Sequence, residues 1–113
     1  VDTTDWVELV NVNAIASGHN AAAFRVRQNS TRTIGGSHVT RNCVLRSTGP
    51  AIHLYGTNEE TVIDLVHTQL DGLQNVLVEV GSSGHTTNPV LHCVGVYDEN
   101  FDPIPADCAP VSP

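Results

Sequence analysis

Three short runs share one character: Phe24-Arg25-Val26, Ile52-His53-Leu54 and Val78-Glu79-Val80. Each sets an ionisable side chain between two apolar ones. On a strand, alternation of period two turns the flanking residues to one face and the central residue to the other. If the runs are neighbouring strands, Arg25, His53 and Glu79 form an outward row of guanidinium, imidazole and carboxylate. Such a row suits a hydroxyl-rich or charged ligand, a cell-surface glycan for example. It is equally a solvated face with compensating charges, where exposed pairs stabilise little.

Other chemistry is thinly supported. The six histidines are His19, His38, His53, His67, His85 and His92, and none falls in a Cys-x-x-Cys or His-x-x-x-His arrangement. A zinc site needs ligands at such spacing, so neither a metal nor another cofactor is expected. Glycoside hydrolysis needs two carboxylates at a set separation. Asp64, Asp71, Glu79 and Asp98 are scattered, and no catalytic residue is assigned. Gly35-Gly36 reads as a turn rather than a phosphate loop, and Gly-x-Ser-x-Gly is absent.

What would position the row is a repeat. Val7 to Val26, His38 to Tyr55, Val62 to Val80 and the shorter Val90 to Val96 align with a period of 25 to 31 residues. Each complete unit holds an apolar run, a Gly-containing turn, a second alternating run and a polar loop, which is strand grammar. The long loops are expected at Thr57–Thr61 and Ser82–Asn88. The alignment places Asn11, Asn42, His67 and His92 at one corner, and Ile15, Leu45, Leu70 and Val96 at one core position. Stacked parallel strands would hold such residues about 4.8 Å apart, coil above coil. The expectation is a single all-β domain, a short right-handed parallel β-solenoid of three to four coils. They span about 7–34, 35–60, 61–88 and 89–101, followed by a Pro-rich tail, 102–113. An antiparallel β-sandwich is the alternative.

Val39, Thr40, Arg41, Asn42, Cys43 and Leu45, with Gly49 and Ile52-His53-Leu54, resemble the repeat of the pectate-lyase-like, right-handed β-helix superfamily. The other units resemble it by pattern. That superfamily includes polysaccharide lyases and hydrolases, viral tailspikes and surface adhesins. The resemblance implies the coil. For lyase chemistry it implies clustered acids for calcium and a basic Arg, against which Arg41 and Arg46 lie a coil away from Asp64 and Asp71.

A short solenoid exposes strand edges at both ends. Trp6 with Val1 to Asp5 is expected to cap one, and the tail from Pro103 to cover the other without extending a sheet. A second subunit is the alternative cover, as a trimer or a head-to-tail filament. In the alignment Cys43 and Cys93 match two coils apart, roughly 9 to 10 Å, beyond the approximate 7 Å Cα limit of a disulfide. Cys93 and Cys108 are then the candidate pair, with Cys43 a buried thiol. Three reduced core cysteines remain the alternative. A disulfide implies an oxidising, extracellular setting.

Net charge is −7, lysine is absent, and the five arginines lie between positions 25 and 46. That balance excludes nucleic acid or an anionic membrane surface as the main partner. No segment has the roughly 18 apolar residues of a membrane span, and the sequon at Asn29-Ser30-Thr31 is a weak signal. The expected function is non-enzymatic: a structural or adhesive module on a virion or cell surface that self-assembles. A carbohydrate-active enzyme domain or a glycan-binding module is the alternative.

Overall fold

A computed structural model describes residues 1–3, 7–27, 37–55, 62–79 and 90–112. Trp6, the Asn29 sequon, Gly35-Gly36, His85 and the loops at 57–61 and 82–88 lie outside the described residues.

The backbone winds. Strands β2 (Glu8–Val10), β3 (Asn13–Ala16) and β4 (Phe24–Arg27) form the first coil. β5 (Ser37–Arg41), β6 (Val44–Ser47) and β7 (Ile52–Tyr55) form the second. β8 (Val62–Val66), β9 (Gln69–Asp71) and β10 (Val76–Glu79) form the third. The fourth runs through β11 (Val90–Val94), a bridge at Tyr97 and β12 (Val111–Ser112). β1 (Asp2–Thr3) precedes them. The strands stack into three sheets, ordered β1-β4-β7-β10-β12, β11-β8-β5-β2 and β3-β6-β9. Every strand pairing is parallel. The fold is therefore an all-β parallel solenoid, and the sandwich is excluded.

Register shows why the chain repeats with an uneven step. Leu9 pairs with Thr40, Thr40 with Leu65 and Leu65 with Cys93, steps of 31, 25 and 28 residues. The differences fall in the connections, while the strand positions stay in step. The interior is filled in layers: Phe24 beside Ile52 and Val76, and Leu45 beside Leu70, all fully buried. His38 is buried too, its ring edge-on to Phe24 with centroids 6.0 Å apart.

The corner between the four- and three-stranded sheets is a left-handed residue in each coil. Asn11, Asn42, His67 and Gly95 have φ of 56°, 53°, 47° and 61°. Each corner N–H donates to the next coil: Asn11 to the Arg41 carbonyl at 3.0 Å, Asn42 to Val66 at 3.0 Å and His67 to Val94 at 2.8 Å. Asn tolerates this conformation best among residues bearing a Cβ, and Gly adopts it freely. The fourth member of the column is thus Gly95 and not His92, which sits three residues earlier opposite Asp64. A Cβ on Gly95 would come within 2.5 Å of the His67 ring.

Two further alignments are corrected. Ala14, not Ile15, lies level with Leu45 and Leu70; Ile15 points outward, 66% exposed. Tyr97 bridges Gln69, so Val96 sits beside Thr68 rather than Leu70. Cys93 shares its column with Thr40 and Leu65, so Cys43 and Cys93 are not equivalent positions. A slip of one residue exchanges the two faces of a strand, and the αL corner, which sets the phase, is what apolar matching overlooks.

The two ends differ. At the N-terminal end β1 adds to the five-stranded sheet, with the terminal amine donating to the Ala23 carbonyl at 2.7 Å. At the other end the chain turns at Asp98–Asp102 and runs back along the last coil. Ile104 N–H donates to the Val96 carbonyl at 2.8 Å, and Cys93 N–H to the Ala106 carbonyl at 2.9 Å. Cys93 and Cys108 form a disulfide that closes this cover, with a Cα separation of 5.3 Å. Ile104 and Cys108 are buried beneath it, and Cys43 is a buried free thiol. The tail does extend a sheet, contrary to expectation: Val111 and Ser112 pair with Val76 and Leu77 of β10.

Candidate functional site

Arg25, His53 and Glu79 stand on the outer face of the five-stranded sheet, on β4, β7 and β10. Arg25 lies level with His53, but the residue level with His53 on β10 is Leu77; Glu79 lies two positions further on, opposite Tyr55. A slip of two preserves the face, and the glutamate reaches back diagonally. Arg25 Nε–H donates to His53 Nδ1 at 3.0 Å, and His53 Nε2 is 3.4 Å from Glu79 Oε1. Arg25 Nη2 donates to the Asn20 carbonyl.

The geometry assigns the tautomer. A nitrogen that accepts from a guanidinium carries no proton, so the hydrogen of a neutral His53 belongs on Nε2, the ring nitrogen nearer Glu79. The row is a chain of contacts, guanidinium to imidazole to carboxylate. It spans three coils and occupies the groups it brings together. His53 is largely covered at 13% exposure, while the Glu79 side chain is 46% exposed.

Two other ionisable pairs among the described residues follow the same plan. Arg46 Nε lies 2.7 Å from Asp71 Oδ2, linking the second and third coils on the three-stranded sheet. Asp64 Oδ1 lies 2.7 Å from His92 Nδ1, linking the third and fourth on the four-stranded sheet. The alignment missed this last pair because it placed His92 at the corner. The period-two pattern of Val62–Val66 and Val90–Val94 holds the signal, since both polar residues are central in an apolar run. Asp98 sits in the cover, its Oδ1 accepting from the N–H groups of Asn100 at 2.8 Å and Asp102 at 3.0 Å.

The four acids considered for hydrolysis therefore lie on three separate faces and in the cover. Among the described residues, no group of three or more His, Cys, Asp and Glu is placed to hold a metal ion. His19 is exposed, and His67 serves its corner. Arg41 is exposed on the four-stranded sheet and makes no ion pair among the described residues.

Comparisons with protein-family models, with curated proteins and with solved structures find no match to this chain.

Proposed function

We propose that this chain is a non-enzymatic structural or adhesive module of an extracellular surface, a virion or a cell, that assembles with copies of itself. One observation carries the reading. Among the described residues, seven ionisable side chains tie coil to coil: Arg25 to His53 to Glu79, Arg46 to Asp71, Asp64 to His92. The Cys93–Cys108 disulfide supports an oxidising compartment.

The covered end bears on how copies would meet. Ile104 N–H and the Ala106 carbonyl point inward to the last coil. Alternation then turns positions 103 and 105 outward, and both are proline, with no N–H to offer. A second copy finds no donor there for strand pairing, so the reading favours contact through a flank over growth from this end. Light scattering over a wide concentration range tests it. Concentration-dependent assembly is expected, and a strict monomer at every concentration and salt would overturn it.

A glycan-binding role is the second reading, favoured by the exposed Glu79 side chain beside the Arg25–His53 pair. Glycan-array binding that vanishes in Arg25→Ala and His53→Ala would support it. Product release from a panel of acidic polysaccharides would instead reopen the enzyme alternative.

A further inference from the structure

The outer face of the four-stranded sheet mixes exposed valines with charged side chains. One column across it reads Glu8, Val39, Asp64, His92; the next reads Val10, Arg41, Val66, Val94. Val10 and Val94, at the two ends of the second column, are 46% and 59% exposed. Branched apolar side chains thus face solvent around Arg41.

The order of these residues is self-complementary. A two-fold axis in the contact plane, parallel to the strands and midway between β5 and β8, reverses the coils and keeps position along the strand. It sets Val10 against Val94 of a second copy, and Glu8 against its His92. At the centre Arg41 meets Val66 of the second copy, whose Asp64 stands two residues along the same strand. That is about 7 Å, within a guanidinium's reach. Charge over the whole chain runs the same way. Residues 1–58 hold all five arginines and three acids; residues 59–113 hold nine acids, with no Arg or Lys. Among the described residues Arg41 is the arginine on this face, and reversing the coils sets it beside Asp64 of the other copy, twice over.

We propose that this face is the self-association surface, two copies packing their four-stranded sheets together with coils in opposite order. The proposal rests on the self-assembly reading and names its contact. Four strands about 4.8 Å apart and five residues of about 3.3 Å give a patch of roughly 19 by 17 Å. That is well short of the about 800 Å² per partner of a standard complex. The pair is therefore weak, in the micromolar-to-millimolar range, and loosens with salt because its central contacts are ionic.

Charge reversal tests it. Arg41→Glu alone opposes Asp64 across the contact, and Asp64→Arg alone opposes Arg41. Sedimentation velocity from micromolar to millimolar protein should show each variant associating at least about tenfold more weakly than wild type. Mixing the two restores opposite charges at both central contacts, so an equimolar mixture should regain most of the wild-type association. Circular dichroism and urea unfolding check that each variant is folded. Val94→Thr, which keeps strand propensity and removes apolar contact, should weaken association if a charge variant fails that check. Association of the wild type unchanged by these substitutions, or unrestored by mixing, overturns this surface and leaves self-assembly standing. A wild-type monomer throughout overturns both.

Discussion

The buried hydroxyl pair inside the solenoid offers a decisive test of how its interior is organised. Thr40 and Thr68 are fully buried, with their Oγ1 atoms 2.9 Å apart. Thr68 Oγ1 also donates to the Val66 carbonyl at 3.0 Å. A hydroxyl has one proton, so Thr68 spends its own on Val66 and must accept from Thr40. The pair is directional, and its two members are unequal. Thr68→Val leaves the Thr40 proton without its acceptor in a dry core, which costs about 1–3 kcal/mol. Thr40→Val leaves Thr68 bonded to Val66 and puts a methyl between Leu9 and Leu65, its neighbours in the column. That change should fall within about 1 kcal/mol of wild type. In the Thr68→Val background the same Thr40→Val change removes the orphan, and it should stabilise by about 1–2 kcal/mol. The sign of one substitution thus inverts with its neighbour. Urea unfolding of the four proteins, disulfide intact and slopes equal, measures it. For a chain of this length about 1 kcal/mol corresponds to roughly 4 °C in Tm, so calorimetry resolves the difference as well. Equal cost of Thr40→Val in both backgrounds, or a harmless Thr68→Val, would refute the assigned donor direction.

Other substitutions read the corners and the cover. A Cβ at position 72 would stand 2.4 Å from Ala51 N and 2.8 Å from Gly49 O, both backbone atoms that cannot swing aside; Gly72→Ala should cost about 3 kcal/mol or more, seen as a lower urea midpoint. Phe101 is 70% exposed and left-handed at φ 61°; Phe101→Gly relieves that backbone at little loss of packing, so thermal unfolding should show it unchanged or raised by about 1 kcal/mol. Replacing Cys93 and Cys108 together by Ala opens a sequence separation of 15, worth about 3 kcal/mol; hydrogen exchange at the amides of positions 104 and 93 should accelerate well before that at His67.

Parity was legible in the sequence, and register only partly so. Alternation in Phe24-Arg25-Val26, Ile52-His53-Leu54 and Val78-Glu79 is enough to send the ionisable residue outward, because a buried unpaired charge is costly. It cannot detect a slip of two, which leaves every residue on its own face. That is how Glu79 lies off the level of His53 and still reaches it at 3.4 Å. At the corner the difficulty is chemical. Asn, His and Gly all accept the left-handed conformation found at 42, 67 and 95, so no one residue type marks the column. Ile15 misleads for a related reason. The inward place in the first coil belongs to the smaller Ala14, so apolar strength points to the wrong neighbour.

Prolines explain both what the tail forbids and what it allows. A proline removes one donor, so its effect on a sheet depends on which way its nitrogen faces. At 103 and 105 it faces away from the solenoid, and the inward Ile104 N–H is kept for Val96. The return segment thus binds the last coil and offers the outside no donor at either proline. Val111 and Ser112 retain their own N–H groups and pair with β10. The tail therefore completes the fourth coil on one side and closes it on the other. The cover blocks pairing at the two prolines, while β12 remains the edge strand of the five-stranded sheet. The valines and the lone Arg41 of the four-stranded sheet then become the surface whose substitution should matter most for association.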